Sequence, residues 1–235
     1  MTTGPPLRVL VVLPHPDDPE YFCGGAVARW TSEGMDVRYC LLTRGDKGSD
    51  DPDTDPAELA RTREDEQRRA AAVLGVHQVA FLSYHDGTLE PSLELRRDIV
   101  RVIRREKPNR VVTSAPDSLT EGYLNHSDHR ACGQATLDAL YPAAGSGMYF
   151  PELLRDEGLA PHKVPELYVA LPADANLTID VTDHLNKKIA ALLEHRSQIR
   201  EPEKLADRIR EWMRDASSPP ESPRYVERFI RVDLS

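Results

Sequence analysis

Apolar and polar positions along this chain follow two rhythms. Residues Leu7–Leu13 form a nearly unbroken apolar run, rich in β-branched side chains and as long as a strand buried on both faces. A helix-spaced pattern follows from about Phe22 to Glu33. Then come a second strand candidate, Asp36–Leu42, a helix over Ala57–Leu74 stopped by Gly75, and a short strand at Gln78–Leu82. Ser92–Lys107 predicts an amphipathic helix with Leu93, Ile99, Val102 and Ile103 on its apolar side, ended by Pro108, and Arg110–Ser114 is a fourth strand. This alternation predicts βαβ units, hence an α/β fold with a mostly parallel sheet flanked by helices. Right-handed crossovers bring the loops that start near Pro14, Thr43, Ser83 and Ala115 to one edge of that sheet.

The second half is less regular. Tyr141–Val164 carries Pro, Gly and aromatics and suits a long covering loop. Glu166–Ala170 and Leu177–Val181 are further strand candidates, and Thr182 or Asp183 is placed to cap a helix through about His195. Another helix spans roughly Pro202–Asp215, and Ser217–Pro223 leads into a terminal segment, Arg224–Val232. With no repeat and no compositional boundary, residues 1–235 read as a single domain whose C-terminal helix and extension begin near residue 200.

Composition narrows the function. A net charge of −9 argues against nucleic acid as the main partner, because phosphate binding needs a basic face. No apolar run approaches the ~20 residues of a membrane span, and the first ten residues lack the pattern of a signal peptide. Cys23, Cys40 and Cys132 are odd in number and widely spaced, so they read as small buried side chains in a reducing, cytoplasmic setting. The acidic loop Thr43–Pro56 is not an EF-hand, since Pro56 stands where Gly is needed and Thr62 where a bidentate Glu is needed. It reads as a mobile loop near the sheet edge.

The chemistry concentrates just past the first strand, where Pro14 and Pro16 hold an extended turn carrying His15, Asp17, Asp18 and Glu20. This turn stands over the start of a helix at the carboxyl end of a strand, where open α/β sheets bind ligands. After the fourth strand, Asn125-His126-Ser127-Asp128-His129 runs into a helical pattern, so His126 and His129 share a face. Two imidazoles and one carboxylate make a three-ligand set with open positions, as a catalytic zinc requires, and the same set suits ferrous iron. A further carboxylate is available to take a proton from water, and a second His, held by its neighbouring Asp, to stabilise an oxyanion. The inventory supports metal-assisted hydrolysis of a carbonyl compound.

HPDD followed by a Gly-Gly pair, with a later H-x-D-H, resembles the LmbE-like (PIG-L) N-acetylglucosaminyl deacetylase family over roughly Leu7 to Ile199. The resemblance implies a Rossmann-like fold with one divalent metal, usually zinc, at the carboxyl ends of the strands. It implies that His15, Asp18 and His129 hold the metal, that Asp17 is the general base, and that His126, supported by Asp128, stabilises the oxyanion or acts as acid. Arg63 and Asp86 are similar to the family's sugar contacts. Many members read HPDDE, whereas here Pro19 follows the Asp pair and Glu20 comes one place later, which puts an orienting role for that Glu in doubt. The implied activity is removal of an N-acetyl group from an N-acetylglucosamine-type sugar or glycoconjugate, with release of acetate. The alternatives are hydrolysis of another amide on a small molecule, and a non-catalytic sugar- or nucleotide-binding module. Tyr123 is placed to gate the site, Thr43–Pro56 and Tyr141–Val164 are the loops placed to select substrate, and a homo-oligomer is compatible with the pattern.

Overall fold

The computed structural model describes residues 5–117, 119–120 and 123–235. In chain order they form β1 (Arg8–Leu13), α1 (Asp18–Ser32), β2 (Asp36–Thr43), α2 (Pro56–Val73), β3 (Gln78–Tyr84), α3 (Leu93–Glu106) and β4 (Arg110–Ser114). A two-strand ribbon, β5 (Leu119–Thr120) with β6 (Tyr123–Leu124), precedes α4 (Ser127–Asp138), a π-helical turn at Ala139–Ala144, and α5 (Pro151–Arg155). Then follow β7 (Glu166–Ala170), β8 (Leu177–Asp180), α6 (Leu185–Leu192), α7 (Pro202–Met213) and β9 (Val226–Asp233).

The main sheet has seven strands in the order β3-β2-β1-β4-β7-β9-β8. The first five are parallel, and β9 runs antiparallel to both β7 and β8. β1 is buried along nearly its whole length because both faces are covered. Val9, Val11 and Leu13 join the core packed by α1, α6 and α7, while Leu10 and Val12 join the core packed by α3, α4 and the π-helical turn. From β1 the chain moves outward to β2 and β3, then returns to place β4 on β1's other side. The strand order therefore reverses between β1 and β4, and the crevice above that point is where such sheets bind ligands.

Several boundaries differ from the sequence expectation. Helix α1 starts at Asp18, four residues before Phe22, because Pro19 occupies the first turn, where a missing N–H costs nothing. Thr182 does not cap α6, since its hydroxyl donates to Asp180 Oδ1 at 2.7 Å, and the chain makes a 3₁₀ turn before α6. The terminal segment is a strand, β9, inserted between β7 and β8.

The largest correction concerns Tyr141–Val164, which does not cover the sheet edge bearing the motifs. Helix α4 starts at that edge and carries the chain to the opposite one, where His162 Nε2 donates to Pro108 O at 2.8 Å, just ahead of β4. There the Arg104 guanidinium, fully buried, donates to the carbonyls of Ala143, Ala144, Ser146, Tyr149 and Phe150. One buried side chain thus gathers five backbone carbonyls of the segment.

β9 is tied to α1 by the buried Glu227 carboxylate, which also forms an ion pair with Lys188 of α6. Glu227 accepts the backbone N–H groups of Gly25 and Ala26 at 2.9 and 2.7 Å, and Lys188 Nζ at 2.7 Å. Gly25 has no room for a Cβ, which would lie 2.8 Å from Val181, so the Gly-Gly pair of the motif lets α6 and β9 approach α1. Lys188→Met leaves the Glu227 carboxylate buried without its cation, and the expected cost is about 3–5 kcal/mol, read as a lower midpoint in urea unfolding.

Candidate active site and metal centre

The turn after β1 and the start of α4 meet above the β1/β4 crevice. Asp18 bridges two imidazoles, with Oδ2 3.1 Å from His15 Nδ1 and Oδ1 3.1 Å from His129 Nε2. The His15 and His129 rings are 5.3 Å apart, and that of His126 lies 5.2 and 5.5 Å from them. One ring nitrogen from each of the three histidines falls within 4.8 Å of the others, and a second group of that spacing joins His15 to Asp86 and Asp128. His15, Asp18 and His129 are buried, whereas His126 is exposed.

The outer hydrogen bonds decide which nitrogen of each ring is free. Asn125 Nδ2 donates to the carbonyls of Ala115 and Asp117, which points Asn125 Oδ1 at His129 Nδ1, 3.1 Å away. His129 therefore carries a proton on Nδ1, and its Nε2 faces Asp18. His15 Nε2 faces two carboxylates, Asp86 Oδ1 at 3.1 Å and Asp128 Oδ2 at 3.2 Å, and so donates its proton to them. That leaves His15 Nδ1 on the Asp18 side. Burial alone would lower the His15 pKa, but Asp18, Asp128 and Asp86 together raise it well above 6.5. Burial likewise would raise Asp18, but His129 and His15 hold it far below the ordinary carboxylate range. With the proton between them displaced, His15 Nδ1, His129 Nε2 and the ionised Asp18 carboxylate converge from buried side chains as a donor set suited to a divalent cation.

The sequence suggested that Asp128 supports His126, but its side chain points elsewhere. Its carboxylate accepts the N–H groups of Gly87 at 2.7 Å and Leu89 at 3.3 Å and turns to His15, so it reaches His126 only through its backbone N–H, which donates to His126 Nδ1 at 3.2 Å. That bond requires an unprotonated Nδ1, and the His126 pKa is lowered, first by burial and then by His15. His126 is thus a neutral imidazole with its remaining N–H on Nε2.

Asp17 has a left-handed backbone, φ 92°, unusual for a residue with a side chain. Burial pushes its carboxyl up to about 6, against the pull of Arg63, whose Nη2 lies 3.4 Å from Asp17 Oδ2. Arg63 is no solvated helix charge: it is 4% exposed and donates to Pro16 O at 2.7 Å and Gly45 O at 3.0 Å. Gly45 and Gly48 lie over its guanidinium, where any Cβ would come within 2.5 and 2.2 Å of it. Asp86 faces His15 and accepts Lys47 N–H at 3.2 Å. The loop after β2 is therefore tied down beside the site, held by Arg63, by Asp86 and by Gln198 Nε2, which donates to Gly48 O at 3.1 Å. The side chain of Tyr123 lies outside the described residues.

Behind Asp17 stand Glu20, whose orienting role the sequence left in doubt, and two side chains that sequence reasoning missed, Gln67 and His195. Glu20 is fully buried and accepts two hydrogen bonds from Gln67 Nε2, at 3.0 and 2.9 Å, and one from His195 Nε2 at 3.1 Å. Gln67 lies one helical turn beyond Arg63, a spacing that would have shown it shares Arg63's face. Nothing local marks His195.

The sequence pattern of the GlcNAc-PI de-N-acetylase family (PIG-L) matches residues 10–140, which hold both motifs. The chain belongs to this family. A diacetylchitobiose deacetylase of Thermococcus kodakarensis is 34% identical over 83% of this chain and 71% of its own length. A probable N-acetyl-α-D-glucosaminyl L-malate deacetylase of Bacillus anthracis is 31% identical over 81% of each chain. The N,N'-diacetylchitobiose deacetylase structure from Pyrococcus horikoshii superposes with a TM-score of 0.86 at 29% identity, covering 96% of this chain and 84% of that one. The PIG-L pattern ends at residue 140, yet Glu227, Lys188 and His195 pack on its motif helix from outside that span. No helix among the described residues is long and apolar enough to cross a membrane.

Proposed function

We propose that this PIG-L member is a metal-dependent N-deacetylase that hydrolyses the acetamide of an N-acetylglucosamine-type sugar or glycoconjugate to acetate and a free amine. The observation that carries this reading is the Asp18 carboxylate set 3.1 Å from both His15 Nδ1 and His129 Nε2, with Asp17 and His126 beside it. His15, Asp18 and His129 hold the cation, zinc being the first choice for this donor set and ferrous iron the second. When bound, the cation supplies Lewis-acid chemistry, polarising the amide carbonyl and acidifying water. The substrate class comes from the relatives, which are named for acetylated amino sugars.

In this mechanism the Asp17 carboxylate takes a proton from the attacking water as its oxygen bonds to the acetyl carbon. The same carboxyl then delivers that proton to the nitrogen as the C–N bond breaks, so no outside proton is needed. The Nε2–H of His126 donates to the developing oxyanion. Removing one such donor typically costs ~100–1000-fold in kcat. Arg63 and Asp86 hold the Asp17 turn and His15 and border the sugar.

The test combines metal content with acetate release from a panel of N-acetylglucosaminides, including N,N'-diacetylchitobiose. About one metal per chain and acetate from at least one sugar is the expected result. Bound metal with no acetate from any acetamido sugar, but turnover of another amide, would move the substrate class. A chain that binds neither zinc nor ferrous iron would overturn the reading.

A further inference from the structure

The general base sits on a strained backbone, and the structure shows what holds it there. The Pro16–Asp17 peptide is gripped at both ends by one face of α2: Arg63 Nη2 donates to its carbonyl at 2.7 Å, and Gln67 Oε1 accepts its N–H at 2.8 Å. These two side chains are four residues apart on the helix, so the spacing of α2 matches the length of one peptide unit. The grip on the N–H depends on which way the Gln67 amide points. Glu20 fixes that, because both of its carboxylate oxygens accept from Gln67 Nε2, and a carboxylate cannot donate in return. Glu20 is itself held from the far side by His195 Nε2. The side chains of Gln67 and Glu20 make no hydrogen bond to His15, Asp18 or His129, and Gln67 is fully buried.

From this geometry we infer that Gln67, oriented by Glu20, is a positioning residue for the reaction: it holds Asp17 in its left-handed conformation, so that the carboxylate meets the water. The inference rests on the assignment of Asp17 as base. It also gives the displaced glutamate of the HPDDPE motif a purpose. With Pro19 in the first turn of α1, Glu20 points back under the turn to Gln67 instead of lying next to the Asp pair. Without the Gln67 acceptor the Asp17 N–H is left buried and unpaired, and the peptide is free to turn toward a partner. A displacement of ~1 Å at a catalytic group costs on the order of 100-fold in rate.

The experiment is a double-mutant cycle on the metal-loaded full chain, using a sugar found active in the acetate assay. Gln67→Met is expected to lower kcat on the order of 100-fold, with metal content unchanged and KM within about threefold. Added to Asp17→Asn, the same substitution is expected to cost less than about threefold more, because Gln67 acts only through Asp17. A general loosening of the fold would instead lower activity by the same factor in both backgrounds. If Gln67→Met does not fold, Gln67→Asn, one methylene too short to reach the Asp17 N–H, is put through the same cycle. Near-normal kcat in the variant that folds, or equal losses with and without Asp17, overturns the positioning role. Near-normal turnover by Asp17→Asn alone would instead remove the base assignment, a separate outcome visible in the same data set.

Discussion

Asp17→Asn is expected to fold, to keep its metal, and to turn over its sugar ~10³-fold more slowly than wild type, within the range of general-base contributions. Asparagine is the right replacement because it tolerates the left-handed backbone of φ 92° better than other residues of its size. It keeps the Pro16 carbonyl and the residue-17 N–H that Arg63 and Gln67 grip, and it offers Arg63 a neutral oxygen in place of a charged one. Only the proton-accepting function is removed. The pH dependence follows from the same carboxyl. As the proposed base Asp17 works ionised, and burial pushes its carboxyl up to about 6, so kcat/KM is expected to fall as pH drops through its working pKa. A bound cation favours the ionised form, which places the acid limb at or below about 6. The residual activity of Asp17→Asn should lack that limb. Retained metal with turnover within about threefold of wild type would falsify the assignment.

How much of this was legible beforehand differs from element to element. β1 and the turn after it were readable because a buried parallel strand is continuously apolar, and because His, Asp, Asp and Pro so close together have few other uses. The convergence of that turn with the start of α4 followed from strand–helix alternation alone, since right-handed crossovers place both at one edge. What could not be read was anything set by direction or by distant contact. Tyr141–Val164 looks like a covering loop in composition, but the 12 residues of α4 carry it to the far edge, where Arg104 gathers its carbonyls. β9 pairs between β7 and β8 although it is last in sequence, and no local pattern records an insertion. Asp128 stands two places from His126 in sequence, yet its carboxylate turns to His15, 113 residues away, because the N–H groups of Gly87 and Leu89 capture it. Gln67 is an ordinary polar residue in a helix until the fold buries it against Glu20.

Chelation of the metal is expected to destabilise the protein more at high pH than at low pH. In the metal-free site His15 is shielded from water, which lowers its pKa, but Asp18, Asp128 and Asp86 overcome that and raise it well above 6.5. A raised imidazole pKa contributes stability that is fully present below ~6.5 and is lost as pH rises through the folded-state value. The metal-free protein therefore weakens as pH rises through that range. Binding runs the other way, because the cation must displace the proton on His15 Nδ1. Its affinity gains about tenfold per pH unit up to the raised pKa. With free metal at ~100 times Kd the stabilisation is ~2.7 kcal/mol. At ~2–4 °C per kcal/mol for a chain of this size, that is a Tm gap of roughly 5–11 °C between loaded and chelated protein. The gap should widen between pH 6 and pH 8 in thermal melts with and without a chelator. Asp18→Asn tests the cause, because it removes the carboxylate between the two imidazoles while keeping its shape. Metal affinity should drop by more than the ~100-fold typical of an outer-shell change, and the gap should close at every pH. Asp18 is also the foremost of the groups that raise His15, so its loss should flatten the pH dependence of the chelated protein. A Tm gap that ignores pH, or that survives in Asp18→Asn, would show that the cation binds elsewhere than between His15 and His129.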